Sequence, residues 1–351
     1  MRSHSRFFAA ASTFVAVIGV TLAWAMPSLA AIDDGFNVEV SPLPIILNIP
    51  PGGTTSTQLR VRNAGVSDEQ LQIHVLKVTE DNNGNVHLTQ PGPADTFVNW
   101  VHFSQTTFDA QPNVWDTIQM TVSPPKSAAF GYYFAVEYSR ATPNLPQGGQ
   151  TATNGAVATF VLLNVVAPGE ARQASIASFS TDHEIYNYLP TDFSVKVHAA
   201  GNVQVVPHGD IFIKQGSKTI ATLPVNNVGG NVLPNSSRIF TTEWNNGFPH
   251  YVDSLVNGQP VVGSNGQPKR HLVWNWNNLG NLRFGHYTAS LLMVYDNGTR
   301  DVPLQATLGF WVIPWELILV LVVVIALVAL GLISSLRGSW RAVRQRTRRR
   351  Q

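Results

Sequence analysis

GYYFAVEYS, residues 131–139, sets Tyr132, Phe134, Val136 and Tyr138 at every second position. A repeat of two sends successive side chains to opposite faces of an extended chain, so the stretch reads as a strand with one face turned to a core. The same period returns on both sides. Leu59 and Val61 alternate with polar residues, as do Leu71, Ile73 and Val75, and again Ile118, Met120 and Val122. In DNNGNVHL, Asn83-Gly84 falls between two such runs, a strong short-range signal for a hairpin. Several short strands at this spacing, with hardly any helical pattern between them, predict β-sandwiches.

A composition shift interrupts the pattern at ATPNLPQGGQTATNG, residues 141–155, after which AVATFVLLNVVAP resumes as an apolar strand. The polar stretch reads as a long mobile loop before the last strand of a first domain, 31–168, with the boundary near PGEARQ, residues 168–173. A second domain, 174–311, is again written in strands: DFSVKVHA, GDIFIKQGSKTIATL, SSRIFTTEW, HLVWNWN, HYTASLLMVY and LQATLGFWVI.

The two ends are different. MRSHSRFFAAASTFVAVIGVTLAWAMPSLA, residues 1–30, has a basic start, an apolar run from Phe7 to Ala25 and small residues at Ser28 and Ala30, the pattern of a secretory signal cleaved after Ala30. An uncleaved anchor is the alternative, the apolar run being long. From Leu317 to Ile333 there is no polar or charged side chain, and the span 315–336 is long enough to cross a bilayer. Trp311 and Trp315 stand at one end and Trp340 at the other, where indole rings settle at headgroup level. The closing stretch 337–351 carries seven arginines, among them Arg337, Arg341 and Arg344, and no acid, which predicts a cytoplasmic tail on a single-pass plasma-membrane protein with its domains outside.

Charge follows that division. Between Asp33 and Glu316 there are 14 Lys and Arg against 21 Asp and Glu, a net −7, so the near-neutral total hides an acidic exported part that disfavours nucleic acid as ligand. There is no cysteine, so no disulfide supports the exported domains and apolar burial must hold them. The nine histidines from His74 to His286 are dispersed singly, and no nucleophile elbow or phosphate-cradling glycine loop occurs. No enzyme, metal or cofactor is expected. Thr79 and Gln90 stand where a calcium loop would want carboxylates, so the segment around Asn83 is better read as a turn.

Two resemblances arise from these segments. VSPLPIILNIPPGGTTSTQLRVRNAG followed by VSPPKSAAFGYYFAVEYS resembles the N-terminal immunoglobulin-like domain of periplasmic pilus chaperones and of the WxL-interacting protein family. HAAGNVQVVPHGDIFIKQGSKTIATLPVN, VLPNSSRIFTTEW and FGHYTASLLMVYDNG are similar to that second family's other domain. The resemblance implies an all-β protein of two tandem immunoglobulin-like β-sandwich domains plus a single C-terminal transmembrane helix. It also implies a surface protein that touches peptidoglycan or another cell-wall polymer and a protein partner. Pilus chaperones grip a client's terminal carboxylate with basic residues on their first and last strands, but FNVEVSPLPIILNI and AVATFVLLNVV contain none.

Two functions from different classes are therefore expected of the chain. The first is a membrane-anchored surface scaffold, for adhesion to cell-wall polymer or to a protein, acting through loops. The second is an accessory that assists export or assembly of another surface protein by lending it a strand edge. The polar insertion 245–270 is the candidate partner-binding loop, with His250, Tyr251, Asn257 and Asn265 as its contact residues. In HLVWNWN, Leu272, Trp274 and Trp276 alternate as a core-facing strand would, although a sugar-stacking face would use the same residue types.

Overall fold

A computed structural model describes residues 35–81, 84–141, 155–264 and 266–348, with side chains up to residue 334. The first sandwich is built from β1 (Val38–Ser41), β2 (Ile45–Ile49), β3 (Thr55–Asn63), β4 (Glu69–Glu80), β5 (Val86–Thr89), β6 (Val101–Phe103), β7 (Thr107–Ala110), β8 (Trp115–Val122), β9 (Phe130–Arg140) and β10 (Ala156–Val165). One sheet has the order β1-β3-β8-β6; the other has β2-β10-β9-β4-β5, with β7 also on β4.

The alternation that reads as strands is what fills the space between these sheets. Leu59 and Val61 of β3, Ile118, Met120 and Val122 of β8, and Phe134, Val136 and Tyr138 of β9 are all buried in one cluster. The chain changes sheets in Ser41-Pro42-Leu43-Pro44, between β1 on β3 and β2 on β10. Proline has no N–H to give a ladder, so this is where pairing lapses. Asn63 closes β3 from inside: its amide donates to Ser67 O and Ala110 O at 2.6 and 3.1 Å, and its Oδ1 accepts from Gly65 N at 2.8 Å.

The second sandwich contains β11 (Ala174–Thr181), β12 (Ile185–Tyr186), β13 (Thr191–Ala199), β14 (His208–Gln215), β15 (Lys218–Val225), β16 (Ser237–Trp244), β17 (His250–Asp253), β18 (Leu255–Val256), β19 (Gln259–Pro260), β20 (Arg270–Val273), β21 (Gly285–Asp296) and β22 (Asp301–Val312). The sheet β11-β13-β16 packs on β12-β22-β21-β14-β15. Trp244, Tyr287 and Phe310 form the aromatic centre between them, with ring centroids 5.3 to 6.0 Å apart.

Two expectations are corrected in this half. The insertion 245–270 is not a polar loop but two strand pairs, β17 with β20 and β18 with β19. It is fastened by Tyr251 N donating to Leu189 O at 2.8 Å and by Arg270, whose Nε is 3.0 Å from Asp253 and whose Nη2 is 3.7 Å from both Asp192 and Glu243. HLVWNWN is not a core strand either. β20 stops at Val273 because Asn275 accepts from Asn277 N at 3.2 Å and turns the chain into a 3-10 segment, Trp276–Asn281, leaving both tryptophans exposed.

After β22 comes α1 (Trp315–Arg348), of which Trp315–Ser334 is long and apolar enough to cross a membrane, with mean hydropathy 3.3 and none of it buried.

Candidate functional site

Among the described residues, the two sandwiches are joined at three places, each traceable to a few residues. In the linker, Asn202 donates from Nδ2 to Gly169 O (2.9 Å) and accepts at Oδ1 from Ala171 N (2.7 Å). Its backbone N–H reaches Ala171 O (2.9 Å), and its carbonyl takes Gly131 N (3.1 Å). On β9, the Tyr133 hydroxyl donates to Gln204 Oε1 at 2.7 Å and accepts from Gln204 N at 2.8 Å, while burial pushes the phenol far above its usual range. Residue 131 has to be glycine here, since a Cβ would overlap that hydroxyl. The third place is the β4–β5 hairpin: Ser236 Oγ donates to Glu80 at 2.5 Å, and Gly84, at φ +82°, lies against the Arg238 backbone.

These ties hold open a cleft of about 520 Å³ between the sandwiches. The first sandwich contributes Leu43, Val78, Val86, Ala158, Phe160 and Leu162, and the second contributes the Val228–Asn231 loop and Leu233. One face of a sandwich sheet is ordinarily solvated and polar. Here the outward face of β10 is apolar, with Phe160 37% exposed and Val228 opposite at 89%. Among the lining residues Glu80 is the one acid and Arg238 the one base, and Arg238 donates to Asn231 O at 2.8 Å.

The backbone beside the cleft is incompletely paired. β9 runs along all of β10, Ala156 to Val165, whereas β2 pairs only with Val161–Val165, in parallel. Ala156–Phe160 therefore has a strand on one side alone among the described residues. A half-edge whose outward face, Ala158 and Phe160, lines a preformed cleft can accept an extended chain through the amides and carbonyls that β9 does not engage.

The residues expected from sequence lie elsewhere. His250 and Tyr251 line a separate cavity of about 190 Å³ with Glu243, Asp253 and Arg270. Asn257 occupies the β18–β19 turn at φ +52°. Ala30 and Asn265 fall outside the described residues, as does the polar loop from 142 to 154, and the side chains of Arg337, Trp340, Arg341 and Arg344 are not described. Trp311 and Trp315 are about half exposed at the foot of the second sandwich. Sequence reasoning missed Tyr133, Phe160 and Leu162. A signal existed: in AVATFVLL both alternating sets, Ala158-Phe160-Leu162 and Val157-Val161-Leu163, are apolar apart from Thr159, which a strand with one wet face would not show.

No protein-family model matches the chain and no curated protein matches it, so the WxL-interacting resemblance has no support there. Among solved structures the chain is similar to the Class 5 fimbriae chaperone CfaA, at 13% identity and TM-score 0.37, covering 77% of this chain and 98% of that one. It is similar to the YadV chaperone at 12% identity and TM-score 0.35, covering 78% and 100%. The E. coli chaperone DraB gives 13%, 0.32, 77% and 98%. The likeness is one of fold, and no residue role is taken from it.

Proposed function

We propose that the protein is a membrane-tethered, non-catalytic accessory that holds an extended segment of another exported polypeptide as an added strand on Ala156–Phe160. The observation that carries this reading is the half of β10 that, among the described residues, pairs with β9 alone beside an apolar cleft. Main-chain pairing would supply affinity for many sequences, and Phe160, Leu162 and Val228 would favour guests with apolar residues at alternate positions. In the same reading α1 crosses the plasma membrane, keeping the sandwiches outside and the arginine tail inside.

A displayed library of short random peptides, selected on the full chain in detergent, tests it. Selected sequences should alternate apolar residues, and Phe160→Asp should weaken their capture by about tenfold or more, since a carboxylate would have to be desolvated under the guest. Peptides that ignore Phe160→Asp but lose binding when Leu255 and Val256 are changed to Ser would instead favour a scaffold acting through loops. Both of those side chains are about 60% exposed on the hairpin insertion.

A further inference from the structure

The foot of the second sandwich is apolar where solvent would call for polar residues. Gly285 at the start of β21 and Val312 at the end of β22 are ladder partners, so the segment entering β21 and the one leaving β22 meet at one end of the domain. The leaving segment is Ile313-Pro314 and then α1. Trp315 is three steps along the chain from Val312, which at about 3.3–3.6 Å each puts Gly285 within roughly 15 Å of the helix start. The entering segment, Trp274–Phe284, exposes Trp276 at 68%, Phe284 at 56% and Leu279 at 55%, with Trp274 and Leu282 also exposed.

These side chains are held, not loose. The Trp274 and Trp276 rings stack with centroids 5.8 Å apart. Both lean on Phe248, which is buried, at 5.8 and 5.3 Å. Arg283 fixes the segment from beneath, donating to Asn246 O at 2.9 Å and Asn281 Oδ1 at 3.0 Å, with its guanidinium 5.6 Å from the Trp244 ring. Gln215 Nε2 donates to Phe284 O at 2.7 Å, and Phe248 N to Asn281 O at 2.9 Å. From Trp274 to His286 there is no acidic residue, and Arg283 is the one charged side chain besides the histidine.

We infer that Trp274–Phe284 is a second membrane contact, a platform seated in the headgroup and upper acyl region of the outer leaflet of the bilayer that α1 crosses. The inference rests on the proposed reading of α1 as a span. A lipid surface is the occupant that the position selects, because the platform cannot move far from the membrane once α1 is inserted. Its chemistry agrees: tryptophan and phenylalanine interleaved with asparagine amides suit the layer where apolar chains give way to polar groups, and the segment itself carries no carboxylate to be repelled by anionic lipid. Exposed Trp311, Ile185 and Trp315 extend the apolar rim around the point where the chain leaves the domain. Two contacts fix a tilt more firmly than a single attachment, so the cleft would be presented at a set angle above the membrane.

The chain has no cysteine, so one introduced thiol reports alone. Full-length protein in phosphatidylcholine–phosphatidylglycerol vesicles would carry an environment-sensitive fluorophore on Leu279→Cys, on Val324→Cys in α1, or on Val114→Cys in the first sandwich. Lipids spin-labelled at shallow or deep acyl positions serve as quenchers. Shallow quenching at 279, deep quenching at 324 and none at 114 is the expected result. Adding Trp276→Ser and Phe284→Ser should remove most of the quenching at 279 without changing that at 324 or the thermal melt. Deep quenching at 324 with an unquenched 279 overturns the platform and spares the span; an unquenched 324 overturns both. Shielding at 279 that grows with protein density but is untouched by lipid quenchers would mean a protein contact, and also overturns it.

Discussion

At the scale of single residues, the joint between the sandwiches depends on Asn202. Its side chain satisfies one donor and one acceptor of the linker, and Asn202→Ala would leave Gly169 O and Ala171 N without those partners. A loss of about 1–3 kcal/mol is expected, read as a lower melting temperature together with faster proteolysis between residues 166 and 173. Unchanged cleavage there would mean the linker is held by backbone contacts alone. Tyr133→Phe should act similarly, removing both bonds to Gln204.

Asp182 predicts a pH dependence. Burial pushes its carboxyl up, but hydrogen bonds from Tyr186, His183 and the Asp192 amide outweigh that and hold it below the usual carboxylate range. A carboxylate with a depressed folded pKa contributes stability that is present above its unfolded value, near 4, and lost as pH falls through the folded value. Asp182→Asn should therefore lower the melting temperature at neutral pH and flatten its fall in acid. Asp192 works in the opposite sense, because desolvation raises its pKa despite Arg270 nearby. Its neutralisation in mild acid is expected to offset part of the effect, and the double variant with Asp192→Asn separates the two.

Among the elements, the β4–β5 hairpin joins the domains as well as belonging to a sheet. Gly84→Ala would force a side chain at positive φ and place a Cβ 2.8 Å from Arg238 Cα, so the hairpin tip would have to withdraw from the second sandwich. A loss of at least about 1 kcal/mol is expected from the backbone conformation alone. Loosening of the cleft should appear as faster amide exchange around Ser236 and Ser237. The β4–β5 hairpin was legible in DNNGNVHL because turn residues between two alternating runs are a local signal, and so were most strands, because alternation against a core leaves a mark within a few residues.

Three things were not legible. The insertion 245–270 contains short strands whose pairing is decided by Arg270 reaching residues far away in sequence. HLVWNWN keeps its alternation past Val273 although an asparagine turn has already ended the strand. The cleft arises only when β9, β10 and the Val228–Asn231 loop meet, which no local pattern encodes; its one trace is the doubly apolar character of β10.

At the scale of the whole molecule, an acidic pair of sandwiches is followed by an apolar helix and an arginine-rich end, and the proposed orientation follows from that order. Protease added to intact cells should remove residues 31 to 312 while sparing a C-terminal tag; loss of the tag first would reverse the orientation. The central claim is that a guest pairs with the open half of β10. Amide hydrogen exchange of the full chain, with and without a peptide selected on it, measures this directly. Slowed exchange within Ala156–Phe160, accompanied by little change in the already paired Val161–Val165, is the predicted result. Protection confined to residues 254–269, with Ala156–Phe160 unaffected, would contradict it.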